Sequence, residues 1–313
     1  MTRFLTRRIG STLLVLLLVA TLVFVITRVI PGDPAAVLLG SAATPEDALR
    51  LRAQFGLDAP LWSQYLGWIG QLVRLDFGDS IFLGQSVLEA LGSRAELTAT
   101  LTLFATGLAV LIGVPLGILA AAQRKGIVAQ LASALGIFGA SVPSFWVGLV
   151  LIQYFSTKLG WFPVSGYGPP DADWPTRLHH LVLPAVALAL PNSALILRFT
   201  RTSMLEVLGE DYIRTARAKG LGPFTVVVKH GFKNALIPVL TVIGLTLAIM
   251  IGGAIVTETV FGLPGVGNLI VSAVLRRDYP VIQGALVIVS ALYVLINLAI
   301  DLLYLWVDPR VKA

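Results

Sequence analysis

Few side chains in this 313-residue sequence could do chemistry. His179 and His180 are adjacent, so on a helix they point to different faces, and His230 lies apart in a basic stretch; none of this is a metal-ligand set. There is no cysteine, hence no disulfide, thiolate nucleophile or thiolate-bound metal. No G-x-x-x-x-G-K-[ST] phosphate loop, H-E-x-x-H helix or G-x-S-x-G elbow occurs, so the chain has no visible means of using ATP itself. The candidates that remain are charges beside apolar sequence: Glu258, and Asp301 with Asn297 one turn before it. Asp301 reads as a structural partner for Arg198 or Arg201, with proton coupling as the alternative. No ladder of acids crosses the apolar sequence, which argues against an ion-driven pump.

The elements that position these groups are membrane helices. Hydrophobic residues make up 56% of the chain and charged residues 13%, where soluble proteins carry about a quarter charged. That excludes an ordinary soluble domain and a disordered or coiled-coil chain. A hydrocarbon core of about 30 Å takes about 20 apolar residues. Six such runs occur, at 9–30, 97–122, 130–155, 181–197, 236–256 and 281–307. The fourth is the weakest, being short and carrying Pro184, Pro191 and Asn192. The first is too long for a signal-peptide core of about 7 to 15 residues, and Pro31-Gly32-Asp33 replaces a cleavage site, so it is expected to be retained. No nucleophile–base or metal-ligand set lies within the runs, which disfavours an intramembrane enzyme.

Charge placement orients the runs. Fourteen of the 23 Lys and Arg residues fall before the first run, between the second and third, between the fourth and fifth, and after the sixth. The alternate links are longer yet hold eight, so both termini are expected on the cytoplasmic side. The expected fold is an all-α integral membrane protein with six transmembrane helices. Its segments are 1–30, an outer-face helical insertion at 31–96, and a core at 97–313 that includes an inner link at 199–233.

In the insertion, Thr44-Pro45-Glu46-Asp47 reads as a capped helix start with a stop near Gly56, and Asp58-Ala59-Pro60 starts a second helix. Leu61, Tyr65, Trp68, Ile69 and Leu72 then share one face, which packs on membrane helices or docks a partner. The Gly- and Pro-rich stretch 165–174 is an outer loop, and Trp161 and Trp174 suit the interfacial aromatic belt.

The inner link is longer than a connection requires. Leu208, Tyr212, Ile213 and Ala216 form an apolar stripe; Glu210 and Asp211 fall in the first turn, while Arg214, Arg217 and Lys219 fall toward the end, matching the helix dipole. Gly220 can end the helix in a left-handed conformation, and Gly222-Pro223 turns the chain. Such a helix suits docking in a groove of another protein or lying on anionic lipid, and the pattern by itself divides these evenly.

The stretch Asp211-Tyr212-Ile213-Arg214-Thr215-Ala216-Arg217-Ala218-Lys219-Gly220, followed by Leu221-Gly222 and Asn234-Ala235-Leu236-Ile237-Pro238, resembles the inner-membrane permease subunit of binding-protein-dependent ABC importers in its dipeptide/oligopeptide/nickel form. The likeness extends to Pro31-Gly32-Asp33-Pro34, Gly56-Leu57-Asp58-Ala59-Pro60-Leu61, Asp76-Phe77-Gly78-Asp79-Ser80, Pro264-Gly265-Val266-Gly267, Arg277-Asp278-Tyr279-Pro280 and Asp308-Pro309-Arg310. Arg214 stands where the general coupling pattern of such permeases has a glutamate, and Pro238 falls several residues late; both departures resemble the peptide-type branch.

The resemblance implies a type I importer permease in the bacterial inner membrane. Residues 208–224 would insert into a cleft of a cytoplasmic ATPase, and two ATPases would drive the membrane helices between inward- and outward-facing states. A homologous second permease would complete the path, and a solute-binding protein would deliver substrate. ATP and Mg would reside on the ATPases, with no cofactor in this chain. Pro184, Pro191, Pro238 and the pair Gly252-Gly253 mark places where the crossings could bend. Gly113 and Gly117 have the spacing for close helix packing, one common in membrane helices. Short peptides are the favoured cargo; nickel chelates, glutathione or another small solute are the alternatives, and an ion-coupled carrier is the alternative of a different class, although no inverted repeat is visible. The net charge of +6 then marks an inner membrane face and is no sign of nucleic acid binding.

Overall fold

The computed structural model describes residues 2–29, 58–123 and 141–307, together with 44, 46, 49, 50, 53, 126, 127, 130, 134, 136, 138 and 139; side chains are described from 10 to 300. The motif 31–34, most of the helix expected from Thr44 to Gly56, the basic pair 124–125, much of the third run, the Asp301 side chain and the C-terminal motif 308–310 lie outside the described residues.

The long elements follow from the apolar runs and their caps. They are α1 (Thr2–Val29), α2 (Leu61–Val73), α3 (Val87–Ala122), α4 (Ser144–Leu151), α5 (Trp174–Val207), α6 (Asp211–Ala218), α7 (Lys233–Val260), α8 (Val266–Arg276) and α9 (Tyr279–Val307). Wider π-helical turns continue α4 through Ile152–Lys158 and lead into α7 through Thr225–Phe232. Among the described residues, β pairing amounts to an isolated bridge between Asp79 and Ser86. Among the described residues, five helices are long and apolar enough to cross a membrane: Gly10–Val29, Val87–Ala122, Trp174–Val207, Thr225–Val260 and Tyr279–Ile300. The third apolar run is represented by α4 and its π-helical continuation.

The span with the weakest apolar signal is the best shielded. α5 runs for 34 residues, well past the apolar run at both ends; it starts where Asp173 caps it by accepting from the Thr176 N–H at 3.1 Å, with a proline in its first turn. Of its most apolar stretch 61% is buried, against 22–39% in the other four spans, so its polar residues meet protein instead of lipid. Asn192 and Ser193 donate back to the Leu188 and Leu190 carbonyls at 2.8 and 2.7 Å, which satisfies them inside the helix.

The chain forms two compact units: one comprises residues 1–96 and 265–295, the other 97–264 and 296–313. In the first, Phe24 of α1 meets the Tyr65 ring edge-on at 5.3 Å and stacks on Trp68 at 5.8 Å. Gln283 of α9 donates to the buried Thr27 hydroxyl at 2.8 Å. In the second, Leu101 and Ala105 of α3, Leu188 and Ile196 of α5, and Met250 and Ala254 of α7 share one core with Phe261 and Leu263. A Cβ at Gly113 would lie 2.7 Å from the Ser193 carbonyl oxygen, and one at Gly117 would lie 2.7 Å from Thr200 Cβ. The two glycines therefore seat α3 directly on the α5 backbone.

Candidate functional site

The inner link hangs between two spans. α5 ends at Val207, and Leu208, 5% exposed, packs inward while the Gly209 and Glu210 N–H groups donate to the Glu206 and Val207 carbonyls at 3.0 and 3.2 Å. Glu210 takes the extended N-cap conformation, so α6 begins at Asp211 and Glu210 lies just outside it. Ile213 and Ala216 are buried in a small core with Met204, Leu208, Val226, Ala235 and Ala121. Asp211, Arg214, Thr215, Arg217 and Ala218 are exposed. The Asp211–Arg214 pair at 2.9 Å is at least 80% exposed on both sides and contributes little to stability. α6 thus presents a charged face to its surroundings and is anchored from behind by two residues.

The helix stops as its glycine requires. Gly220 has φ +77°, and the Leu221 N–H reaches back to the Ala216 carbonyl at 3.4 Å. The chain turns at Gly222 and returns as the π-helical segment, in which Gly231 packs so closely that a Cβ would lie 3.1 Å from Leu208 Cδ2 and 3.3 Å from Met204 Cε. Leu221 and Phe224, 39% and 79% exposed, extend the charged face with apolar surface.

Tyr212 departs from the expected stripe. It is 42% exposed, and its hydroxyl accepts from Asn234 Nδ2 at 3.0 Å while lying 3.5 Å from the His230 carbonyl oxygen. Asn234 also donates to that carbonyl at 2.8 Å. Tyr212 and Asn234 therefore clasp α6 to the start of α7. Neither His230 nor Asn234 carries a local sequence signal for this, since the partners are separated by a turn and a whole helical segment.

The other candidates fall in different places. Pro184 and Pro191 sit inside α5 and Pro238 inside α7, both continuous helices. A Cβ at Gly253 would lie 2.9 Å from Leu188 Cδ1, whereas one at Gly252 would meet nothing within 4 Å. Gly253 is thus a packing contact with α5, and Gly252 faces open space. Glu258 is fully buried and accepts from the Thr98 hydroxyl at 2.6 Å. Asn297 is half-buried in α9. Arg198 lies over the Phe199 ring at 5.7 Å, and Arg201 buries an Nε with no hydrogen-bond partner among the described residues. His179 and His180 fasten the outer loop through the Trp161 and Gly166 carbonyls at 3.1 and 3.0 Å. Among the described residues no three His, Asp or Glu side chains converge as a metal site.

One constellation was not expected from spacing. Asp278, 2% exposed at the head of α9, accepts from the Ser80 hydroxyl at 2.5 Å and from the Ile81 N–H at 3.3 Å. It joins two motifs 198 residues apart, so nothing local could signal the pairing.

Comparison with known proteins adds the following. The family described as "Binding-protein-dependent transport system inner membrane component" matches residues 113–313, and its N-terminal companion matches residues 1–101. The chain is 45% identical over 309 residues to the "Probable peptide ABC transporter permease protein y4tP" of Sinorhizobium fredii, with 99% of each chain covered. It is 40% identical to the "Oligopeptide transport system permease protein AppB" of Bacillus subtilis, covering all of both. Among solved structures it is similar to the inward-facing MetNI methionine ABC transporter, with a TM-score of 0.60 at 22% identity over 71% of this chain and 97% of that one, a likeness of fold.

Proposed function

Because the chain belongs to the family of binding-protein-dependent transport system inner membrane components, we propose that it is the permease subunit of an ATP-driven importer of short peptides, moved by cytoplasmic ATPases that grip α6. The observation that carries this reading is the construction of the inner link. A helix with a charged outer face, two buried anchors and a clasp to the next span hangs between α5 and α7, so a displacement applied to it reaches both spans. The peptide cargo is supported by the full-length relatives named for peptide and oligopeptide transport. The concentration of seven of the 23 basic residues at 198–233 supports placing this link and both termini in the cytoplasm. A homologous second permease would supply the other half of the path, two ATPases would carry the ATP and Mg, and a solute-binding protein would load it.

The test alters the outer face of α6 and spares its anchors. Arg217→Glu combined with Ala218→Trp is expected to leave the permease in the membrane but to remove the ATPases from the purified complex and abolish ATP-driven uptake. If uptake and co-purification both survive, the docking assignment fails. The cargo is tested separately by identifying the ligand on the associated binding protein. A nickel chelate or glutathione found there overturns the peptide assignment and leaves import standing.

A further inference from the structure

α2 carries an exposed apolar surface far along the chain from the inner link. Its thirteen residues include no charged side chain; its polar groups are Ser63, Gln64, Gln71, the Tyr65 hydroxyl and the indole N–H groups of Trp62 and Trp68. One face holds Tyr65, Trp68, Ile69 and Leu72 half-buried, with Tyr65 and Trp68 on Phe24. The Tyr65 hydroxyl also lies 2.8 Å from the Thr21 hydroxyl. Ser63, Gln64 and Gln71 fall together on another side, whereas Leu61, Trp62, Leu66 and Val73 are apolar yet 62%, 68%, 60% and 80% exposed, and no residue of α2 is buried. A helix with a wide apolar face and a narrow uncharged polar stripe suits surroundings that are apolar on one side and polar on the other.

The depth of its anchors says what those surroundings are. Thr21 and Phe24 lie inside the apolar span Gly10–Val29. They are eight and five residues from its end, about 12 and about 7.5 Å along the axis at the helical rise. The span itself is about the 30 Å of a hydrocarbon core. Leu18, Leu22 and Ile26 on α1 are exposed at the same level. The residues that hold α2 are therefore below the headgroups. At thirteen residues α2 is too short to cross, and Asp58 and Arg74 flank its two ends, so it lies along the boundary instead of spanning it. A protein docking here would find no charged group on α2 to steer or register it.

We propose that α2 is an interfacial helix whose face of Leu61, Trp62, Leu66 and Val73 is covered by acyl chains of the leaflet at the Val29 end of α1. The insertion at 31–96 is then partly a lipid-bound collar on α1. This does not depend on the cargo or on the ATPase contact.

The chain has no cysteine, so one substitution gives one label on it once any cysteines of the partner subunits are replaced by serine. The complete transporter carrying a nitroxide at Leu66→Cys or Val73→Cys is reconstituted in phosphatidylethanolamine/phosphatidylglycerol vesicles. Leu22→Cys serves as the lipid-facing reference and Asp171→Cys as the aqueous one. The expected result is that both α2 labels collide with oxygen more often than with a water-soluble nickel chelate, in a ratio like that at Leu22. A ratio like that at Asp171 overturns the proposal, as does protection from both reagents or protection that develops on adding the binding protein. Should the labelled complexes fail to assemble, quenching of native tryptophan fluorescence by brominated lipid decides. The quenched component falls in Trp62→Phe if Trp62 sits among acyl chains, and its persistence overturns the proposal.

Discussion

α6 and α2 are both short helices outside the long spans, and they manage their exposed surface in opposite ways. α6 holds three charges in eight residues and buries Ile213 and Ala216 behind them; α2 holds no charge in thirteen and buries nothing. The contrast teaches that exposure alone does not identify an interface. An exposed charged face fixed by a small apolar core is built for water and a polar partner. An exposed apolar face with no charge at its edge is built for hydrocarbon.

The contrast can be broken first by placing one charge on each helix. Ile213 is 1% exposed, so Ile213→Asp buries an uncompensated carboxylate. That costs several kcal/mol, and both uptake and ATPase co-purification should be lost. Leu66→Asp places the same group at a lipid boundary for about 1–3 kcal/mol, lowering the thermal midpoint while ATPase content is retained. If Leu66→Asp is instead as neutral as a substitution on an aqueous surface, the distinction between the two helices collapses.

A smaller effect is expected at Gly220, whose φ of +77° disfavours side chains. Gly220→Val should strain the turn by about 1–2 kcal/mol and lower peptide taken up per ATP hydrolysed, with membrane abundance unchanged. Smaller still is the clasp. Tyr212→Phe and Asn234→Leu each remove hydrogen bonding of about 0.5–1.5 kcal/mol and should reduce the same uptake-to-hydrolysis ratio. Because the two share one bond and each also reaches the His230 carbonyl, the double variant should lose less than the sum of the singles.

The smallest effect lies outside both helices, at the Asp173 cap. Hydrogen bonds from Thr176, side chain first, hold its carboxyl below the ordinary carboxylate range. With the folded value depressed, the cap is fully present above the unfolded value of about 3.9 and is lost as pH falls through the folded one. Thermal midpoints of the parent and Asp173→Ala should therefore differ slightly at neutral pH and converge in acid.

Legibility in the sequence followed the range of the interactions involved. The long spans were readable because an apolar run of about 20 residues is a local signal that few other structures produce. The true start of α5 was missed by hydropathy and was nonetheless written locally, in Asp173 and the proline that follows it at the second position. α6 was readable from its charge order and Gly220, but the role of Tyr212 was not, since it depends on Asn234 across the returning arm. The Ser80–Asp278 pair was wholly opaque, because sequence pattern carries no information about a partner 198 residues away.

Gly113 and Gly117 have a mechanical consequence. On the α3 side of the joint there is no side chain to yield, and each glycine leaves 2.7–2.9 Å between its would-be Cβ and the facing α5 atoms. A shift of α3 along α5 that brings a residue with a Cβ to either place would have to part the two helices. The pair is a keyed seam, in which sliding α3 by one residue would push a side chain into space that only hydrogen now fills.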